Sequence, residues 1–401
     1  MEVWRFFMRL KSFSLKKKIL LPLLVFVQMV VALLPAMSVS AEVAISAPSA
    51  ILIEAETGQV IYELNPTEQR SPASITKIMT ILLIFEQLEK GNITLEDSVT
   101  VTAHAASMGG SQVYLAEGEV QKLETLLKCI VVASANDASV AVAEHIAGSE
   151  PAFVDMMNAK AMALGMKDTK FEDCCGLTDS DGHYTTAKDV AIMSRELIIN
   201  YPDVFDYTTI WMDEFVHETP QGTSTFGLSS TNKLLKQYDW ITGLKTGSTA
   251  KAKYCISATG NKNGMQLIAV IMGAPDPKQR FSDAATLLNY GYGMCQMYED
   301  ENKDALPEVS VKGGKAEQVA VSYRDKFRYL DTEKRNLESV EKTIELPDEL
   351  TAPLVKGTEV GQAVYRIGGE VIGSVPIITS EDVEKADYKD YLLKIFWEYL
   401  M

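Results

Sequence analysis

The sequence predicts an α+β fold in two parts, and three observations carry that prediction. Strand-like apolar patterns stand at both ends of roughly the first 300 residues, with helical patterns between them. Beyond about residue 304, short alternating runs punctuated by Gly and Pro take over, the pattern of a small β-rich domain. The last segment returns to helical spacing.

In chain order, residues 1–41 stand apart. Lys16, Lys17 and Lys18 precede an apolar run from Ile19 to about Ala36, and small residues end at Ala41. This predicts a cleaved secretory signal, with an uncleaved anchor as the alternative. The segment holds six basic groups and one acid, so its loss takes the formal charge from −16 to −21. Such a surface repels phosphate backbones, so no nucleic-acid partner is expected. The five cysteines are scattered and the four histidines dispersed, without metal-ligand spacing, so neither metal nor cofactor is expected and buried thiols are.

Residues 42–303 are expected to form the first, larger domain. "ISAPSAILIEAETGQVIYELN" reads as two strands joined at Thr57-Gly58. Ser71 and Pro72 look like the N-cap and first residue of a helix ending at Lys90-Gly91. A second helical region from Leu123 is interrupted by polar "SAND", and a third opens at the N-cap Thr186 and stops before Pro202. "YCISATGNKNGMQLIAVIMG" is a hairpin around a "GNKNG" turn, followed by a closing helix over "DAATLLNYGYGM". Strands at both ends then share one sheet, in a layered α+β domain.

A charged stretch, "YEDENKDALPE", leads into the β-rich domain, 304–378. In 379–401, Val383, Tyr388, Tyr391, Leu392, Ile395, Phe396, Tyr399 and Leu400 recur mostly at three- and four-residue steps. The segment is too short and too charged to span a bilayer, so an amphipathic helix on the membrane surface is expected, the alternative being a helix packed on its own domain.

The chemistry centres on Ser74 and Lys77, which lie three apart at the head of the first helix. Ser-x-x-Lys occurs five times in the chain, but only this copy heads an apolar helix. A serine hydroxyl is a weak nucleophile until a base takes its proton, and a buried lysine becomes such a base as its pKa falls. Ser134-Ala135-Asn136 projects from the helix break, and Lys245-Thr246-Gly247 lies on an apolar run with small residues. These groups follow at intervals of 60 and 111 positions.

Order and context resemble the penicillin-binding proteins and serine β-lactamases, with their S-x-x-K, S-x-N and K-T-G motifs. Within that superfamily, "SPASITKIMT", "VASANDA", "CGLTDSDGHYTTAKDVAIMS", "GLKTG", "RFSDAATLLNYGY" and the tail "APLVKGTEVGQAVYRIGGEVIGSVPII" resemble the low-molecular-mass D-alanyl-D-alanine carboxypeptidases. The resemblance implies a β-lactamase/transpeptidase-like domain, an antiparallel sheet of five strands flanked by helices, followed by a small β-sandwich. It implies Ser74 as the acylated nucleophile, Lys77 as its proton acceptor, and Ser134 with Lys245 as a proton relay and electrostatic wall. Asn136 would bind the substrate amide and Thr246 the terminal carboxylate, which Arg280 would help neutralise. Lys245, Gly247 and Ser248 would also bind substrate, and the N–H groups of Ser74 and Ser248 would form the oxyanion hole. His183 is expected to organise its loop rather than move protons.

The implied partners are a peptidoglycan pentapeptide ending in D-Ala-D-Ala, β-lactam antibiotics as covalent inhibitors, and a membrane surface met by the C-terminal helix. The implied place is outside the cytoplasmic membrane, toward the cell wall. Competing readings are a D-alanyl endopeptidase acting on cross-links, a class A-like β-lactamase, and a wall-binding scaffold without activity. The second lacks its loop glutamate in "GLTDSDGHYTT", and the intact motifs oppose the third.

Overall fold

Ser49–Glu54 (β1) buries all six of its side chains, as a strand covered on both faces must. It is the first element of the computed structural model, which describes residues 43–219 and 222–400, with side chains in the final helix as far as Trp397. The expected signal segment, 1–41, lies outside the described residues. Gly58, at φ 73°, makes the turn to Val60–Leu64 (β2). A 3-10 turn, Ala73–Thr76, leads into Lys77–Glu89 (α1). Two short strands, Ser98–Thr100 (β3) and Val120–Lys122 (β4), pair with each other. Leu123–Val132 (α2) and Asn136–Ala147 (α3) flank the polar break, as the sequence indicates.

Glu150–Ala163 (α4) was not expected, although Ser149 caps it and a proline stands in its first turn. Ala187–Asn200 (α5) starts at the cap Thr186, whose hydroxyl accepts from Asp189 N–H. A long hairpin, Met212–Thr219 (β5) and Gly222–Ser229 (β6), also escaped the sequence reading. Its side chains are mostly exposed, with only Phe215, His217 and Leu228 buried, so it carries little apolar signal. Ile241–Thr249 (β7), Lys253–Lys262 (β8) and Met265–Ala274 (β9) follow, then Pro277–Met294 (α6).

The central sheet is antiparallel, in the order β2-β1-β9-β8-β7. The strands that open and close this part of the chain thus meet in one sheet, as predicted. Period-two alternation divides β9 between two layers. Ile268, Val270 and Met272 join the core formed with α1, α2, α3 and α5. Leu267 points the other way, toward Gly291 of α6, where an added Cβ would lie 2.7 Å from its Cδ1. The motif strand β7 is left at the sheet edge.

The β-rich part takes its first strand, Gln296–Asp300 (β10), from just before the expected boundary. Then come Val309–Lys312 (β11), Gln318–Val319 (β12), Val321–Tyr323 (β13), Phe327–Asp331 (β14), Val340–Glu345 (β15), Glu349–Thr351 (β16), Glu359–Ile367 (β17) and Glu370–Thr379 (β18). Small sheets in the orders β13-β18-β17-β15, β12-β11-β16 and β10-β14 build it. The Phe327 ring stacks on Tyr365 at 3.8 Å. Arg328 joins this part to the catalytic part through an ion pair with Glu56 at 2.8 Å.

The last helix is Tyr388–Leu400 (α7). It starts later than the helical spacing suggested. Val383 is 2% exposed and packs with Val309, Val311, Val319 and Ala352, while its backbone exchanges hydrogen bonds with Leu354. Pairing with the β-rich part outweighs helix formation there. Met401 lies outside the described residues.

Candidate active site

Three segments meet at the free edge of β7. Ala73 adopts φ 48°, a left-handed conformation unusual for a residue with a Cβ, and turns the chain so that Ser74 stands on the 3-10 turn. The expected cap is absent. Pro72 already has helical angles, and the buried Ser71 hydroxyl has no hydrogen-bond partner. The bend at Ala73, rather than a capping side chain, sets the entry to the turn. Gly176 (φ 77°) packs so closely against it that a Cβ there would fall 1.8 Å from Ala73 O. Ser74 is partly exposed, whereas Lys77 is fully buried.

Lys77 Nζ lies 3.2 Å from Ser74 Oγ, 2.6 Å from Asn136 Oδ1 and 2.7 Å from the Cys175 carbonyl. The two closest partners only accept. A neutral lysine has two N–H groups and one lone pair, so those acceptors hold both hydrogens and leave the lone pair facing the serine. Burial pushes Lys77 below the usual lysine range, against the upward pull of the nearby Asp173 and Asp137 carboxylates. Lys245 is held further below its ordinary value, first by burial and then by the positive charges of Lys77 and Arg280. Of the two lysines, Lys77 is the one in contact with Ser74.

Ser134 (φ 61°) sits at the break between α2 and α3, and its hydroxyl accepts from Lys245 Nζ at 2.8 Å. Asn136 occupies the first position of α3. Its Nδ2 donates to Gly109 O at 2.7 Å and its N–H to Ser111 O at the same distance. Its carboxamide oxygen therefore orients Lys77. Asp137 accepts from Val113 and Leu115 N–H, fixing the same loop.

On β7, Lys245, Thr246 and Gly247 are buried and Ser248 is exposed. Thr246 Oγ1 donates to Thr231 Oγ1 at 2.6 Å. Gly247 has a steric purpose: a Cβ there would approach Pro72 O at 2.9 Å and both Ser74 N and Ile75 N at 3.0 Å. The strand thus lies directly against the nucleophile turn. Arg280, in α6, donates to Gly247 O at 3.1 Å, and its guanidinium lies 4.7 Å from the centre of the Phe281 ring. Its buried Nε has no partner. Among the described residues it forms no ion pair with a carboxylate.

Every residue proposed from the sequence gathers at this edge. The reading missed Cys175 O, Asp173, Asp137 and Thr231, which act through backbone groups or lie outside the three motifs. Asp173 accepts from the N–H groups of Cys175, Gly176 and Thr178, making the turn that presents Cys175 O. His183 does organise its loop. Its Nδ1 accepts from Glu172 N–H at 3.1 Å, so Nε2 carries the hydrogen and donates to Thr76 Oγ1 at 2.8 Å. Burial lowers its pKa and keeps it neutral. The five cysteines are free and buried, and no described cluster of His, Cys, Asp or Glu could hold a metal ion.

A serine beside a buried lysine, a Ser-Lys pair opposite and a free strand edge between them define a serine acyl-transfer enzyme with the penicillin-binding fold. The D-alanyl-D-alanine carboxypeptidase family matches residues 36–276, and the penicillin-binding protein 5 C-terminal domain matches 296–385. The chain is 40% identical to D-alanyl-D-alanine carboxypeptidase DacF of Bacillus subtilis over 354 residues, 88% of this chain and 90% of the relative. It is 30% identical to carboxypeptidase DacC of Escherichia coli, covering 90% of each. The structure of penicillin-binding protein 5 from Haemophilus influenzae superposes with a TM-score of 0.72 at 29% identity, covering 85% of this chain and 98% of that one. The chain belongs to the D-alanyl-D-alanine carboxypeptidase family, the low-molecular-mass penicillin-binding proteins.

Proposed function

We propose that this chain removes the terminal D-alanine from peptidoglycan stem peptides ending in D-Ala-D-Ala, through an acyl-enzyme on Ser74, and that β-lactams acylate the same hydroxyl. The observation that carries this reading is the contact of Ser74 Oγ with Lys77 Nζ, whose two other contacts are to acceptors. Lys77 takes the hydroxyl proton as Oγ bonds to the carbonyl carbon of the penultimate D-alanine. Backbone N–H groups of Ser74 and Ser248 receive the negative charge that develops on the carbonyl oxygen. The C–N bond breaks, and the leaving amine takes a proton relayed by Ser134 and Lys245. Water then adds to the ester carbonyl with Lys77 again as base, freeing the shortened peptide and Ser74.

Arg280 holds the terminal carboxylate, joined by Thr246 once its hydroxyl turns from Thr231 to donate to it. The carboxylate's arrival supplies the unpaired guanidinium with a charge partner and favours the charged form of Lys245. Incubation with a fluorescent penicillin, followed by peptide mapping, tests the site, and D-alanine release from a stem pentapeptide tests the reaction. Label on Ser74 together with D-alanine release is expected. Label on another serine overturns the assignment.

The protein is exported in this reading and acts at the outer face of the cytoplasmic membrane, held at the membrane surface by α7. Support comes from Tyr388, Leu393, Ile395, Phe396 and Trp397, each at least half exposed. No described helix is long and apolar enough to cross a membrane, so attachment would be superficial.

A further inference from the structure

The loop after Gly176 has a root and a tip with different sets of partners, joined by one side-chain bond from Ser180 Oγ to Glu172. The root is fixed by Asp173, which gathers the N–H groups of Cys175, Gly176 and Thr178. The tip is fixed from the other side of the site, by the turn between β7 and β8. Lys251 Nζ donates to Asp179 O at 3.0 Å, Ser180 O at 2.7 Å and Asp181 Oδ1 at 2.7 Å. Thr249 Oγ1 donates to Asp179 Oδ1 at 2.6 Å and accepts from Ala252 N–H at 3.0 Å. Three ammonium hydrogens thus meet three acceptors on consecutive residues, two of them backbone carbonyls that a free loop would turn to water.

Resting on the reading of the site given above, the direction of the substrate follows. The terminal carboxylate lies at Thr246 and Arg280, and the scissile carbonyl at Ser248 and Ser74. The peptide therefore leaves the scissile bond toward Thr249, where it meets the tip at 179–181. Leu177, 41% exposed and on the same loop, reaches the Asn136 side of the site: its Cδ1 lies 3.1 Å from where a Cβ on Gly110 would be, and Asn136 Nδ2 is 2.9 Å from the same point. We propose that Lys251 is a positioning residue for substrate length: by pinning the 179–181 tip to the end of β7 it builds the wall against which the residues upstream of the D-Ala pair lie. It does not act on the base, because Asp173 secures the Cys175 carbonyl independently of the tip.

Three probes separate these functions in the full chain. They are N-acetyl-D-Ala-D-Ala, an N-acetylated peptide with two further residues upstream of the same pair, and benzylpenicillin. The native protein should use the longer peptide better than the shorter. In Lys251→Ala, kcat/KM for the longer peptide should fall about tenfold, mainly through KM, as expected when ground-state binding is lost. The short peptide and the rate of penicillin acylation should stay within about twofold, with the pH profile of acylation unchanged. Lys251→Arg, whose guanidinium reaches the same acceptors, should restore most of the loss. Asp181→Asn, which leaves both carbonyl acceptors in place, should show a smaller loss of the same kind and serves if Lys251→Ala does not fold. An equal loss on all three probes, or none on the longer peptide, overturns the assignment of Lys251 while leaving the carboxypeptidase reading intact. A native protein that releases D-alanine from neither peptide overturns both.

Discussion

Lys77 Nζ lies 2.7 Å from the carbonyl of Cys175, a residue 98 positions further along the chain. With Asn136 Oδ1 at 2.6 Å, that carbonyl takes up the hydrogens of a neutral amine, and the longest of the three contacts, 3.2 Å, is the one to Ser74. In the neutral amine, the two acceptors leave the lone pair for the serine. Asn136 and Cys175 thereby aim the base as well as hold it.

The pH dependence follows with a definite sign. Burial lowers the folded-state pKa of Lys77, and the active form is the neutral one. Acylation by penicillin should therefore rise with pH through an apparent pKa below the ordinary lysine value of about 10.4 and level off above it. Lys77→Arg stays charged at every accessible pH, so its acylation rate should drop by roughly 10²–10⁴. Stopped-flow acylation across pH checks both statements. An arginine variant of native rate would mean that residue 77 contributes charge alone.

Gly247→Ala tests the closeness of β7 to the nucleophile turn. The new methyl would lie within 3.0 Å of Ser74 N and 2.9 Å of Pro72 O, both backbone atoms that cannot rotate away. The strand must shift outward, which moves Ser248 N–H relative to Ser74 N–H. Acylation should fall at least about tenfold, with a stability loss of about 1–3 kcal/mol, typical of overpacking. Thermal melting and penicillin labelling of one preparation measure both. Native kinetics would show that the strand has room to give.

Arg280 carries a buried Nε without a partner and no ion pair to a described carboxylate, so a substrate carboxylate has an unshared cation to meet. A charge-assisted bond contributes about 1.5–3 kcal/mol. Arg280→Ala should lower kcat/KM roughly 10- to 100-fold on a peptide ending in free D-Ala-D-Ala, and much less on its C-terminal amide. Equal losses on both would assign Arg280 to supporting Gly247 O alone.

The legibility of the sequence varied with how each feature is encoded. The central sheet was readable because β1 and β9 are buried on both faces and carry unbroken apolar runs at 50–53 and 267–272, while β8 is marked by the turn that joins it to β9. The β5–β6 hairpin was not, since only Phe215, His217 and Leu228 are buried and the exposed positions mix polar residues with Met212 and Val216, leaving no clean alternation. Ser74, Lys77, Ser134, Asn136 and Lys245 were found through motifs. Cys175 was not, because a carbonyl contributes the same atom whatever its side chain. The cap assigned to Ser71 failed for a conformational reason, the left-handed turn at Ala73, which side-chain identity does not announce. The histidines dispersed along the sequence find carboxylates across the fold: His104 faces Glu150, His145 Asp97 and His217 Glu119.

The C-terminal helix gives the last prediction, and the structure fixes where the chain must be cut. Ending it at Thr379 would remove Val383, which fills the core with Val309, Val311 and Val319 and closes a backbone ladder with Leu354. A chain ending at Asp387 keeps those contacts, together with the bond from Ala386 N–H to Gly313 O. It loses only α7, whose Tyr388, Tyr391, Leu392, Leu393, Ile395, Phe396 and Trp397 are exposed. At roughly 25 cal/mol per Å² of apolar surface, burying several of these in a headgroup layer contributes several kcal/mol, enough for reversible attachment. A protein of net charge −16, or −21 without residues 1–41, gains nothing from anionic lipid, so apolar burial must supply the affinity. The 42–401 chain should therefore sediment with phosphatidylcholine vesicles at least as well as with vesicles containing phosphatidylglycerol. The chain ending at Asp387 should remain in the supernatant and release D-alanine at the native rate. If both chains stay in the supernatant, α7 is no anchor.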